Sequence, residues 1–198
     1  MGRPSNKEER RQQISQGLMQ TMAQHGYEKA SIQLIAKAAG LTSGLIHYHF
    51  KTKQEILVAL INNLDNQAQS RFESYIETVS TPQDKLNAYI DAALALGAGS
   101  DESAVSAWVT ISAEAIRQVE VRVLYQAIVA KNQAQLIGLL SEYLKETKNS
   151  LKKSEVKELA SLILATIEGC YQLATTAKDL MPRNFAAKTL KALVASYC

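Results

Sequence analysis

Apolar residues recur at helical spacing along almost the whole chain, and the register restarts at a few glycines and hydroxyl-bearing residues. Ile14, Leu18 and Met22 stand four apart, which predicts one apolar stripe on a helix from about Lys7 to His25, stopped by Gly26. Ser31 then reads as the N-cap of a second helix carrying Ile32, Ile35, Ala36 and Ala39, with Gly40 just past its end. Thr42 reads as the N-cap of a short third helix over about 43–49. A turn of about three residues containing a glycine separates the second helix from the third, which is the spacing of a helix-turn-helix.

Beyond Lys53 the helices lengthen. Ile56, Leu57, Leu60, Ile61 and Leu64 mark an amphipathic helix over 54–78, and Thr81-Pro82 opens another to about Leu96. The stretch GAGSDES (97–103) reads as a loop, with Asp101 able to cap the helix that carries Trp108. A long helix is expected from about Glu120 to Lys145. Ser154 opens one that runs to about Lys178, and a last helix covers 184–197 after the break LMPRN.

Composition agrees with an all-α chain. Three prolines and nine glycines in 198 residues are too few for many-stranded β architecture, where turns recur. The expected organisation is an N-terminal three-helix helix-turn-helix domain over 1–53 and a larger helical domain over 54–198. Net charge is only +3 but unevenly placed. Residues 1–53 hold eight Lys/Arg against three Asp/Glu, and the rest hold 14 against 16, so the N-terminal end alone invites an anionic partner. No run of 18 apolar residues suggests a membrane span, and MGRPSNKEERRQQ has no apolar core of a secretory signal. Cys170 and Cys198 have no CxxC partner. A soluble cytoplasmic protein is the expectation.

The stretch TSGLIHYHF (42–50) holds the candidate chemistry. His47 and His49 look like metal ligands, but two positions apart on a helix they point about 200° from one another. A zinc helix uses histidines at i and i+4. No nucleophile or paired carboxylate lies near in sequence, so no catalytic group, metal or cofactor is assigned. Leu41, Ile46 and Phe50 have the spacing to face the first two helices. Thr42, Ser43, Gly44, Leu45, His47 and Tyr48 then point outward. An uncharged exposed helix with a leucine and a tyrosine suits a partner surface: Leu45 can meet a thymine methyl, and Tyr48 a base edge or phosphate.

The segment SIQLIAKAAGLTSGLIHYHFKTKQEIL (31–57) resembles the helix-turn-helix of the TetR-type transcriptional regulators. The likeness runs through Ile35-Ala36, Ala39-Gly40-Leu41, Thr42, Gly44, Tyr48-His49-Phe50, Lys53 and Leu57, and reaches across about residues 8–65. It implies a dimeric DNA-binding repressor of all-α fold with about nine helices. It also implies roles. Ser31 and Thr42 would bind phosphate, Gln33 would read a base edge, and Ser43, Gly44, Leu45 and Tyr48 would face the major groove. His47 and Lys53 would hold phosphates, and Arg3 in an N-terminal arm would reach the minor groove. The family usually has tyrosine where His47 stands, so phosphate binding here could vary with pH.

The segment SAWVTISAEAIRQVEVRVLYQ (106–126) is similar to the choline-responsive BetI-type regulators, over about a tenth of the chain. Trp108, Tyr125 and Tyr171 with Glu114 and Glu168 are the candidate ligand-binding residues, an aromatic and acidic set suited to a cationic or amphipathic effector. Each aromatic is equally well an ordinary core residue. The last two helices are rich in small residues. In the family the corresponding pair forms a two-fold bundle, which implies a homodimer on a palindromic double-stranded operator. The competing reading is a helical ligand-binding protein or enzyme whose basic N-terminus is incidental.

Overall fold

The computed structural model describes residues 6–94, 102–182 and 185–198. Among these there is no strand, and nine α-helices follow in order. They are α1 (Asn6–Lys29), α2 (Ile32–Ala39), α3 (Ser43–His49), α4 (Lys53–Ile76) and α5 (Pro82–Ala93). Then come α6 (Glu102–Arg117), α7 (Val119–Glu146), α8 (Lys153–Thr176) and α9 (Phe185–Tyr197), with a 3₁₀ turn at Lys178–Leu180 before α9.

The chain folds as two compact units. One joins Met1–Asn66 with Ser103–Tyr125, and the other joins Gln67–Glu102 with Gln126–Cys198. The first unit therefore takes in the buried start of α4 (Ile56, Leu57, Leu60, Ile61, Leu64) and almost all of α6.

In the first unit the expected stripe of α1 is buried: Ile14, Leu18 and Met22 sit beside Ile35, Ile46 and Phe50 among its most enclosed side chains. The backbone breaks at Gly26, whose φ of 74° and ψ of 166° are non-helical, and the chain turns there toward α2. Gly40 closes α2 in the left-handed region (φ 64°, ψ 33°). The Leu41 N–H then reaches back to the Ala36 carbonyl at 2.9 Å, the longer bond of a Schellman cap. Gly17 lets α1 and α2 meet. A Cβ there would lie 2.8 Å from the Ile35 carbonyl oxygen and 2.9 Å from the Ala39 Cβ.

In the second unit one apolar cluster binds α5, α7, α8 and α9, centred on Leu86, Ile90, Leu136, Leu140, Ala160 and Ile163. Thr81 caps α5 and Pro82 occupies its first turn, as expected. The start of α8 differs. Ser154 lies inside the helix and Lys152 is the N-cap, its N–H donating to the Glu155 carboxylate at 2.7 Å. The acidic side chain one turn in reaches back to the cap's own N–H, as a glutamate at that position of a capping box does. Arg3 and Asp101 lie outside the described residues.

Candidate nucleic-acid interface

The helix-turn-helix is built from caps on one side and polar side chains of α1 on the other. Ser31 and Thr42 stand in extended backbone at the N-caps of α2 and α3. Their hydroxyls accept from the N–H groups of Leu34 and Leu45, each at 3.3 Å. Both residues are exposed, and both hydroxyl protons stay available to a further acceptor. The last carbonyls of the two helices find donors on α1. The Gln13 Nε2 donates to the Ala39 carbonyl at 2.7 Å, and the Arg11 guanidinium donates to the His49 carbonyl at 2.8 Å. The Arg11 guanidinium also lies 4.0 Å from the Phe50 ring centroid. These two side chains fix the ends of α2 and α3, and hydrophobic spacing carries no sign of them. The usable signal is physical: short helices end in unpaired carbonyls, and α1 carries the donors.

With Ile46 and Phe50 buried, α3 turns Gly44, His47 and Tyr48 outward. They sit at i, i+3 and i+4, on one face. Tyr48 is 79% exposed, far more than a packing role permits. Ser43 and Leu45 are half-buried beside this face, and Leu41 is half-buried rather than fully inside. His49 turns inward, and its Nδ1 is buried with no hydrogen-bond partner. Its ring packs edge-on to Tyr48, centroids 5.1 Å apart. Gln33 and Lys37 are exposed on α2, and Lys51 is exposed just after α3.

Lys53 is engaged inside the fold. Its ammonium donates to the Tyr27 carbonyl at 2.9 Å and the Glu28 carbonyl at 3.3 Å, and lies 4.3 Å from the Tyr27 ring centroid. It thus ties the start of α4 to the α1–α2 corner. An ammonium has three N–H donors, so one remains for a phosphate.

The candidate ligand residues fall in both units. In the first, Trp108 on α6 and Tyr125 on α7 pack ring to ring, 5.4 Å apart and tilted by 38°. Glu114 is only 6% exposed and accepts from Gln118 Nε2 at 2.9 Å. Burial, and then the charge of Glu114, push the Tyr27 hydroxyl pKa up. In the second unit the Tyr171 hydroxyl donates to the Ala93 carbonyl at 2.6 Å. Its pKa is raised by burial first and by Glu168 second, with Arg71 opposing. The structure pairs Trp108 with Tyr125 and sets Glu168 beside Tyr171.

Among the described residues no group of three or more His, Cys, Asp or Glu could hold a metal ion. No helix among them is long and apolar enough to cross a membrane.

Residues 14–60 match the family described as bacterial regulatory proteins, tetR family. Residues 82–198 match the BetI-type transcriptional repressor C-terminal family. The chain is 32% identical over 93 residues to the fatty acid metabolism regulator protein of Bacillus subtilis, covering 47% of this chain and 48% of that one. That match spans about half the relative's length. It is 24% identical over 182 residues to the HTH-type transcriptional regulator BetI of Escherichia coli O45:K1, covering 89% of this chain and 88% of that one. Among solved structures, a transcriptional regulator from Saccharomonospora viridis in complex with choline superposes with a TM-score of 0.77 at 20% identity. That superposition covers 96% of this chain and 95% of the other. It is a likeness of fold.

Proposed function

Because the chain belongs to the tetR family of bacterial regulatory proteins, with a BetI-type C-terminal part, we propose that it is a ligand-responsive repressor that binds a palindromic operator as a homodimer in the cytoplasm. The carrying observation is the outward face of α3, where Gly44, His47 and Tyr48 stand exposed on a helix capped by Thr42 and pinned by Arg11. In this reading Gly44 lets backbone approach DNA, while Ser43, Leu45 and Tyr48 meet the major groove. Gln33 reads from α2, and Ser31, Thr42, His47 and Lys53 hold phosphates, with Arg3 in the adjacent minor groove.

The two-fold partner is a second copy of the chain, seated on α8 and α9. Leu162, Leu173, Leu193 and Tyr197 are exposed there among alanines and threonines. The effector is a cationic or amphipathic small molecule. Supporting this are the Trp108–Tyr125 ring pair, the buried Glu114, and the choline carried by one structural neighbour. Glu168 is a second candidate carboxylate; the hydroxyl of Tyr171 is already given to a backbone carbonyl. DNA and effector favour different dimer geometries, so each weakens the other's binding by the same factor.

One experiment tests the whole reading. Purified protein is incubated with a random duplex pool at moderate salt, and the selected site is titrated with the protein and its Tyr48→Ala variant. A palindromic consensus, bound with a steep salt dependence, is expected. Tyr48→Ala should lose about 1–3 kcal/mol at particular base pairs. Cationic compounds are then screened for release of the site and for a change in the fluorescence of Trp108, the single tryptophan. Selection of no sequence would end the operator reading.

A further inference from the structure

On the outward face of α3, beside Gly44 and Tyr48, stands a histidine, His47. The helices packed against α3 are α1 and α2. On α1, Arg10 donates to Gln13 at 2.6 Å and Arg11 to the His49 carbonyl at 2.8 Å. Glu8 and Glu9 lie in the first turn of α1, within one turn of Arg11, which reaches the end of α3. On α2 the charged residue is the exposed Lys37. On the segment that follows α3, Lys53 is bound to the carbonyls of Tyr27 and Glu28, and Glu55 accepts the Lys51 N–H at 2.9 Å. The His47 imidazole is exposed and makes no hydrogen bond or ion pair within the described residues. Its neighbour His49 is turned inward with a buried Nδ1, so it cannot offer that nitrogen to DNA.

Histidine is the side chain whose charge ordinarily changes between pH 5 and 8. A neutral imidazole offers a phosphate one donor and no charge, whereas an imidazolium offers a charged donor. Resting on the reading of α3 as the DNA-facing helix, we infer that His47 makes operator binding proton-linked: each half-site takes up a proton from solvent as the imidazole closes on a phosphate. A phosphate favours the charged donor over the neutral one, so affinity is higher at acid than at alkaline pH. The protein then reports pH as well as effector, through the same helix that reads DNA.

The test uses full-length protein and the duplex selected above. Dissociation constants are measured at pH 6.0 and 8.0 at one fixed ionic strength, for wild type, His47→Tyr and His47→Gln. His25→Gln, at the other exposed histidine, serves as control. Circular dichroism at both pH values confirms an unchanged fold. Wild type and His25→Gln should bind about tenfold more tightly at pH 6.0, with a salt slope steeper by about one phosphate per half-site. His47→Tyr and His47→Gln should still bind, with less than about a twofold pH effect. Calorimetry in two buffers of different ionisation heat should show proton uptake by wild type and His25→Gln and none by the two His47 variants. A wild type that binds the operator equally at both pH values overturns the inference and leaves the α3 reading standing. So does a pH effect that survives in His47→Tyr. Failure to select any duplex at either pH overturns both.

Discussion

Two regions of this molecule leave large apolar or aromatic side chains in solvent, and their surroundings differ. On α3, Tyr48 is exposed beside Gly44 and His47, with the cations Lys37 and Lys51 exposed on the flanking segments. On α8, Leu162 is 63% exposed, and from Ser161 to Thr176 the exposed residues carry no charge, Glu168 being half-buried. The first setting suits a polyanion with apolar base edges, because cations flank a small contact face. The second suits another protein surface as bare as itself, because the exposed positions of this stretch bring no charge to be buried. Exposure alone does not separate a DNA face from a subunit face; the charge around the exposed residue does.

The sharpest way to break this comparison is to put charge on the bare face. Leu162→Glu with Leu193→Glu should leave each chain folded, since both side chains are exposed. Two carboxylates buried without partners should dissociate the dimer. Sedimentation should then show monomer. Operator affinity should fall by at least about 100-fold, because the second half-site no longer gains from the first. A variant that stays dimeric and binds normally would place the subunit interface elsewhere.

The next effect lies inside the first unit. Gly17→Ala puts a methyl against the Ile35 carbonyl and the Ala39 backbone nitrogen, atoms that cannot swing away as a side chain can. Overpacking should outweigh the helix propensity gained and cost about 1–3 kcal/mol, lowering the melting temperature by several degrees. Operator affinity should fall as well, since α2 carries α3 with it. An unchanged melting temperature would mean that α1 and α2 are less closely apposed.

The contrast between the two regions also explains what the sequence made legible. The helix-turn-helix is punctuated locally: Ser31, Gly40 and Thr42 each determine the backbone within a few residues, and the structure has all three in those roles. The stripe Ile14, Leu18, Met22 and the break at Gly26 were legible for the same reason. Contacts between segments were not. Arg11 and Gln13 act on residues 38 and 26 positions away, and Gly17 is needed only because α2 crosses there. At α8 the sequence pointed to Ser154 as the opening residue, but the helix starts at Lys153, with the Lys152 N–H held by the Glu155 carboxylate. The meeting of Trp108 with Tyr125 across the turn at Gln118 had no local sign either.

A smaller effect separates the units by pH. The Tyr171 hydroxyl binds the Ala93 carbonyl at the end of α5, one of the carbonyls that a helix leaves unpaired. Its pKa is raised above the ordinary 10.0 in the folded chain, by burial and then by Glu168. A raised folded-state pKa stabilises fully below the unfolded value and is lost as pH climbs through the folded one. Stability should therefore be level to about pH 9 and decline above about pH 10. Tyr171→Phe should cost about 1 kcal/mol at pH 7 and should flatten the alkaline decline. Denaturant titrations at pH 7, 9 and 10.5 decide it. A decline as steep in the variant would assign the alkaline sensitivity to another group, such as Tyr27, whose pKa is also raised by burial and by Glu114.

The smallest effect comes from a glycine with the opposite environment to Gly17. Gly138 lies inside α7, is exposed, and has no atom within 4 Å of where a Cβ would stand. A glycine in mid-helix gives up more backbone freedom on folding than alanine does, by about 0.5–1 kcal/mol. Nothing in the chain offsets that, so Gly138→Ala should stabilise by about that amount and raise the melting temperature by about 2–4 °C. The sign of the change is therefore set by the neighbours and not by the residue type: the same substitution lowers stability at Gly17 and raises it at Gly138. Operator affinity should be unchanged, because Gly138 is remote in sequence from the helix-turn-helix and belongs to the other unit. If Gly138→Ala destabilises the dimer while leaving dilute monomer more stable, the open space beside Gly138 is filled by a second copy of the chain. The subunit face would then extend from α8 and α9 onto α7.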